Sequence, residues 1–163
     1  MKKIMTIAAI VMSGFLFQQA AAQVRVNMNV NLGQQPVWGP AGYDHADYYY
    51  LPDIDCYYDI SRRQFIYNSG NRWVYTSQLP PRYRNYDLYS SYKVVVNEPR
   101  PYMHADVYRN KYRNNKQPRD RQILIRDSRE EKYYQVKGHP MHDQWIKNHH
   151  GNQRDRGHDD GRH

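Results

Sequence analysis

The chain has 163 residues, a formal net charge of +8 and a mean hydropathy of −1.06, and 17 of its residues are Tyr. A polar chain of this length does not bury a large core throughout, and it has room for one small domain. Its single Cys excludes an intramolecular disulfide framework.

An apolar run at residues 4–17 lies behind Lys2 and Lys3 and ahead of three alanines at 20–22. That order is typical of a secretory signal peptide cleaved after Ala22. The run is about 14 residues long, shorter than the roughly 20 that a membrane-spanning helix needs, and no later segment is more apolar. We therefore expect residues 1–22 to be removed and the mature protein to be periplasmic or secreted.

Charge divides the mature chain into two parts. Residues 23–107 carry eight basic and eight acidic side chains, whereas residues 108–163 carry fourteen basic and eight acidic ones, a net charge of +6. Most of the tyrosines precede this boundary, and six of the eight His follow Gly138. We expect a small β-rich domain at 23–107 and a basic, His-rich flexible tail at 108–163, largely disordered.

The mature chain opens with an alternating segment at residues 24–32, in which Val, Met and Leu take every second position. A period of two predicts a half-buried strand. Such a strand could belong to the chain's own sheet, or it could pair with another chain. Residues 43–52 are interpreted as the loop and approach to the main sheet.

Three short runs at residues 54–60, 64–67 and 72–77 are separated by turn-forming residues. They predict an antiparallel meander of three strands. A β-branched run at 93–97 predicts a fourth main strand, and Tyr spacing between them predicts a short helix over about 84–91. Later, residues 122–126 and 131–138 could form a strand pair or one helix that docks back, and one helical turn is expected around Trp145. The fold class is therefore mainly β, a small Tyr-rich antiparallel meander with a short helix.

The motifs PVWGP, GYD, YYYLPDI, FIY with RWVY, LPPRYRNYDLY and KGHP follow one another along the chain. The segment that carries them, most of residues 36–140, resembles a group of small uncharacterised exported proteins of Gram-negative bacteria. The resemblance implies a periplasmic or secreted protein of unassigned function, and it supplies no catalytic residues.

Tyr and Trp combine an apolar ring with a polar tip, so a thin sheet can use them to cover itself. The same residues are favoured where proteins bind sugars or other proteins. Both roles stay open for the aromatic side chains here. The binding candidates are Trp38, Tyr57, Trp73 and Tyr75.

Asp53 and Asp55 are two residues apart, so on a strand their carboxylates would point the same way. Such a pair could hold Ca²⁺ or serve as general acid and base in a hydrolase, or it could be solvated charge beside a turn at Leu51 and Pro52. Next to them, Cys56 is either a small semi-buried residue or a free or intermolecularly bonded thiol.

Clustered imidazoles in the tail can bind Zn²⁺, Cu²⁺ or Ni²⁺ weakly. The metal candidates are His139, His142, His149 and His150. Their spacing does not form a closed site of four ligands.

The sequence contains no HExxH or CxxC motif, no phosphate-binding Gly loop and no Ser-His-Asp order. It favours a non-enzymatic exported cell-envelope protein that acts as a binding or assembly module. Envelope polysaccharide, anionic lipid head groups or another envelope protein are the expected partners, and nucleic acid is not. The alternatives are a periplasmic metal-binding protein acting through its tail and a hydrolase using the region of Asp53 and Asp55.

Overall fold

The computed structural model describes residues 30–112 and 122–150. Its strands are β1 Tyr48–Leu51, β2 Cys56–Asp59, β3 Gln64–Ser69, β4 Arg72–Thr76 and β5 Val94–Val96, and its α-helices are α1 Ala105–Tyr112 and α2 His142–His150. Short 3₁₀ helices lie between them at Leu32–Gln34, Pro81–Tyr83, Pro101–His104, Ile125–Asp127 and Glu131–Tyr133.

The five strands form one antiparallel sheet in the order β4-β3-β2-β1-β5. The predicted meander of β2, β3 and β4 is confirmed, as is the fourth strand, which is β5. The sheet makes the fold mainly β, as the sequence predicts. The signal peptide and most of the alternating segment 24–32 lie outside the described residues, although Leu32 begins a 3₁₀ helix rather than ending a strand.

The interpretation of residues 43–52 as loop and approach is wrong for β1, which is the second-last strand of the sheet. All four of its residues, Tyr48–Leu51, are buried. A strand that is covered on both faces has no polar face, so it shows no alternation in its sequence. The run YYYL therefore lacked the pattern that identifies a half-buried strand.

Turn chemistry fixes the register of the hairpins. Gly70 and Asn71 both have positive φ, +57° and +65°, which is the two-residue type I′ turn whose twist matches that of the flanking strands. The two preceding hairpins use four-residue loops, each ending on a left-handed residue, Asp55 and Arg63. All three connections are short, so consecutive strands pair antiparallel.

Each face of the sheet is covered by a different part of the chain. The helix face packs against the segment Pro101–Tyr112, and its buried residues are Tyr48, Tyr50, Tyr57, Ile66, Val96, Tyr102, Ala105 and Tyr108. The loop face packs against Trp38 and the segment 79–88, and its buried residues are Ala46, Tyr49, Leu51, Ile54, Cys56, Tyr58, Ile60 and Phe65. A sheet of short strands thus gains a core on both sides.

The predicted helix over 84–91 is wrong, because these residues form turns and bends. Asp87 accepts a hydrogen bond from the backbone N–H of Tyr89 at 2.8 Å, a local bond that competes with helical pairing. The helix of the domain is α1, which begins behind the 3₁₀ turn Pro101–His104. The predicted boundary between residues 107 and 108 falls within α1.

Part of the basic tail packs on the domain. Ile125, Tyr133 and Val136 form a third buried cluster with Leu32, and the buried Tyr133 hydroxyl accepts hydrogen bonds from the N–H groups of Gly42 and Tyr43. Residues 122–138 therefore dock back, but as a bridge from Leu124 to Pro40 and two 3₁₀ turns rather than as a strand pair or one helix. Residues 113–121 and 151–163, where tail disorder was also predicted, lie outside the described residues.

The single helical turn expected around Trp145 is longer than predicted, since α2 runs over nine residues. Among residues 30–112 and 122–150, no helix has both the length and the apolarity to cross a membrane.

Candidate functional site

A row of side chains crosses the helix face of the sheet, because residues paired in register point to the same side. Tyr50 pairs with Tyr57, Tyr57 with Ile66, and Ile66 with Tyr75. The row begins fully buried and ends exposed: Tyr57 is 0% exposed and Tyr75 is 46% exposed. The segment Pro101–Tyr112 thus covers the β1 and β2 end of the row and leaves the β4 end exposed.

The open end contains three rings that contact one another, Trp73, Tyr75 and Tyr102, which we call the aromatic edge. The ring centroid of Tyr102 lies 5.4 Å from that of Trp73 and 5.8 Å from that of Tyr75. Burial, and then a hydrogen bond with Tyr75, raises the pKa of Tyr102 to about 12. Trp73 is half-buried and also contacts Tyr57 edge-on at 6.4 Å. The buried Tyr102 therefore holds two partly exposed rings at fixed positions on the edge strand.

Deeper on the same face, Tyr57 is packed among other rings. Its centroid lies 4.7 Å from Tyr50 and 5.8 Å from Tyr108. Its buried hydroxyl has no hydrogen-bond partner among the described residues, and burial raises the pKa of this hydroxyl. Tyr57 supports the aromatic edge from below, and its own ring is not accessible.

An ion pair closes the end of this cluster that lies next to the β1–β2 loop. Arg109 of α1 donates from Nε and from a terminal nitrogen to the same carboxylate oxygen of Asp55, at 3.1 and 2.7 Å. Tyr50 donates to the other oxygen at 3.0 Å. Burial, followed by the charge of Asp55, raises the pKa of Tyr50. The carboxylate thus ties α1 to the sheet.

The remaining binding candidate, Trp38, lies on the loop face. It contacts Tyr49 and Tyr58 edge-on at 5.6 and 4.9 Å, and it stacks with Phe65 at 6.3 Å. The structure therefore brings Tyr57, Trp73 and Tyr75 together and places Trp38 on the opposite side of the sheet.

The expectation that Asp53 and Asp55 point the same way is wrong, because both lie in the loop before β2. Asp53 accepts a hydrogen bond from Tyr86 at 3.1 Å, on the side of the loop face. Asp55 turns to Arg109 on the other side. The two carboxylates therefore contact different partners and do not form a pair. The hydrolase stays a prediction.

The environment of Cys56 is apolar. The thiol is buried, and this burial raises its pKa to about 12. Its location inside the loop-face core accounts for a small side chain at this position.

Each of the His candidates whose side chain is described has contact partners of its own. His139 is buried: its Nε2 lies 3.1 Å from the carbonyl of Ser128 and its Nδ1 accepts from the N–H of Met141, so both nitrogens are engaged. His142 Nδ1 lies 3.0 Å from the carbonyl of Tyr134. His149 stacks on Trp145 at 4.3 Å, and the side chain of His150 lies outside the described part.

No group of three or more His, Cys, Asp or Glu that could hold a metal ion occurs within the described ranges 30–112 and 122–150. The metal-binding tail stays a prediction.

Comparison of the chain with protein-family models, with curated proteins and with solved structures finds no match. The resemblance to small exported proteins of Gram-negative bacteria therefore stays an expectation.

Two residues of the site were not predicted from the sequence. Tyr102 follows a Pro-rich segment, and Arg109 lies in a helix that the sequence pattern did not indicate. Pro101 is at the first position of the turn before α1, and proline at this position is typical of a helix start. This signal could have predicted the helical segment that contains Tyr102 and Arg109.

Proposed function

We propose that this chain is a non-enzymatic exported cell-envelope protein, a binding or assembly module whose contact surface is the aromatic edge. The observation that carries the proposal is the outer edge of β4, which no strand of the described residues covers, with Trp73 and Tyr75 beside it, both in contact with Tyr102. Rings of this kind bury a large area at low cost in side-chain entropy, because each has only two side-chain torsions.

Export is supported by the signal peptide that residues 1–22 predict, and the basic residues of the tail support contact with an anionic envelope. The expected partners are envelope polysaccharide, anionic lipid head groups or another envelope protein. Each of them offers either rings and main-chain groups for the edge or negative charge for the tail.

The test uses the chain from Gln23 onward on polysaccharide arrays, on anionic vesicles and in pull-downs from envelope extract. Changing Trp73→Ala together with Tyr75→Ala should weaken the binding by about tenfold or more, since central aromatic residues dominate interfaces. Tyr43→Ala is the matched control, because Tyr43 is 44% exposed and lies outside the aromatic edge.

Equal losses in the control and in the double variant would overturn the assignment of the aromatic edge. Turnover of a substrate by the wild-type chain, with no partner found in any of the three assays, would overturn the non-enzymatic function itself.

A further inference from the structure

The outer edge of β4 presents backbone groups that no strand within residues 30–112 and 122–150 pairs with. A two-residue turn closes on a hydrogen-bonded pair, here Ser69 and Arg72, and bonded and non-bonded pairs alternate beyond it. Arg72, Val74 and Thr76 therefore bond to β3. The N–H and C=O groups of Trp73 and Tyr75 point away from the sheet, and no strand of the described residues pairs with them.

The two edges of the sheet differ in how their backbone groups are bonded and in how their strands are protected against pairing. At the β5 edge, the side-chain amide of Gln122 accepts from the N–H of Lys93 at 3.0 Å and donates to its C=O at 2.9 Å, which imitates a further strand. β5 itself has three residues and is followed closely by Pro99. By contrast, β4 has five residues, contains no Pro or Lys, and bears its one charge at the end, on Arg72. Proteins usually protect such an edge against pairing.

The sequence of β4 is complementary to itself in an antiparallel pair. With Val74 opposite Val74 of a second copy, Trp73 lies opposite Tyr75, and Arg72 lies opposite Thr76. The outward groups of Trp73 and Tyr75 then meet as hydrogen-bonded pairs, and no like charges face each other. Each aromatic pair lies on the helix face, where cross-strand aromatic contacts stabilise sheets by about 0.2–1 kcal/mol.

The alternating segment of the same chain is too short to fill this edge. Asn31 is bonded to Ala46, just before β1, and a strand beyond β4 lies four strand spacings from β1, about 19 Å. Residues 24–30 span at most about 25 Å when fully extended. The crossing would leave about two residues of the alternating segment to pair with β4.

We propose that β4 pairs antiparallel with β4 of a second copy of this chain, across a two-fold axis at Val74. This assignment rests on the proposed function and names the partner of the aromatic edge. A C2 contact of this kind uses the same surface on both copies. Its area is small for a stable dimer, so we expect an association of micromolar rather than nanomolar strength.

Cysteine cross-linking tests the register. Directly opposed residues of a non-hydrogen-bonded pair have Cα atoms about 4.5 Å apart, within the range of a disulfide. Val74→Cys should therefore form a disulfide-linked dimer on mild oxidation. Thr76→Cys is the matched control: its two copies would lie about 14 Å apart along the strands, too far to bridge. The native Cys56 is buried and should not compete.

A charge exchange tests the same axis without oxidation. Sedimentation should show concentration-dependent dimers for the wild-type chain and for Val74→Thr, and at least a tenfold weaker association for Val74→Glu or Val74→Lys alone. Mixing the two charged variants should restore the dimer, because opposite charges then meet at the axis. The thermal unfolding of each variant shows whether its fold is intact.

A wild-type chain that stays monomeric at millimolar concentration, equal cross-linking at positions 74 and 76, or folded charged variants that dimerise as the wild type does would each overturn the pairing. The binding assays with polysaccharide, vesicles and extract are independent of these results. The proposed function can therefore be supported even if the pairing of β4 with a second copy is disproved.

Discussion

Lys93 is a cation in the interior of the molecule, since its side chain is only 1% exposed. Its ammonium group donates a hydrogen bond to the carbonyl of Ser91 at 2.7 Å, and the charge of Asp87 favours its protonated form. Burial outweighs that attraction and lowers the pKa of Lys93 to about 8, from an ordinary value of 10.5. The folded chain therefore holds this proton less tightly than the unfolded chain does.

The contribution of Lys93 to the free energy of unfolding should consequently rise with pH between 8 and 9.5. In that interval the unfolded chain keeps the proton of Lys93 and the folded chain has lost it, so the unfolded state binds more protons. The gain should be about 1–2 kcal/mol. Urea unfolding at several pH values measures it as the difference between the wild-type chain and Lys93→Met. This difference is needed because the tyrosines of the unfolded chain, whose ordinary pKa is 10.0, begin to ionise toward pH 9.5 and lower the stability of both chains alike.

Two variants decide whether Lys93 is the cause. Lys93→Met should lack this gain, because no proton is released at this position, and its stability should only fall toward pH 9.5 as tyrosines of the unfolded chain ionise. Lys132→Met should leave the gain unchanged, since hydrogen bonds from Lys132 to Asp44 and Glu130 raise the pKa of that ammonium group. A rise that persists in Lys93→Met would contradict the assignment.

The sequence indicated which aromatic residues are suited to binding, but it did not indicate which of them are exposed. Tyr57 and Tyr75 were both chosen as binding candidates, and they do share one row of the sheet. Whether a ring in that row is covered depends on the position of α1, which is a long-range property. For the same reason the contacts of Asp53 with Tyr86 and of Asp55 with Arg109, each across more than 30 residues, could not be predicted from local spacing.

The β3–β4 hairpin is the element whose conformation depends most clearly on two residues. Gly70 and Asn71 both occupy the left-handed region, where β-branched side chains clash with the backbone. The same turn sets which backbone groups of β4 face outward.

Asn71→Val should therefore destabilise the chain by about 1–2 kcal/mol, whereas Asn71→Gly should be neutral or stabilising. Thermal or denaturant unfolding of the two variants measures the difference. Equal stabilities would show that the turn does not need a left-handed residue at position 71.

Local signals predicted some elements and missed others for physical reasons. The turn-forming residues between the runs at 54–60, 64–67 and 72–77 are short-range features, and the meander that they predict is confirmed. The run at Tyr48–Leu51 is covered on two faces and so carries no alternation. The tyrosines between residues 83 and 89 recur at a helical interval, but the Asp87 side chain bonds the backbone locally and turns form instead.

At the scale of the whole molecule, the basic tail contributes to the core. Tyr133 satisfies two backbone N–H groups of the N-terminal loop, and Ile125 and Val136 are buried against Leu32. Lys132 adds an exposed ion pair with Asp44. The net charge of the tail does not depend on these few apolar and aromatic residues. Charge alone therefore could not predict that the tail packs on the domain.

Truncation should separate the two parts of the tail. A chain that ends at Tyr112 should lose on the order of 2–5 kcal/mol of unfolding free energy, because the cluster around Leu32 becomes exposed. A chain that ends at His150 keeps every contact described above and should lie within about 0.5 kcal/mol of the full-length chain. Urea unfolding of both truncated chains makes the comparison.

Equal stabilities of the two truncated chains would contradict a structural role for residues 122–150. Loss of stability on removing residues 151–163 alone would show that the last residues also contribute.

The amide of Gln122 limits how far the proposed assembly can grow. In a two-fold pair, both β4 edges lie at the centre, and the ten-stranded sheet ends on two β5 edges, where Gln122 is bonded to the backbone of Lys93 just before the strand. Each β5 edge is three residues long and has the Gln122 amide bonded at its start, so it offers a third copy little backbone to pair with, and we expect a closed dimer rather than a fibril. One side-chain amide at the far end of the sheet would thus help to limit the proposed assembly to two copies, although it lies away from their interface.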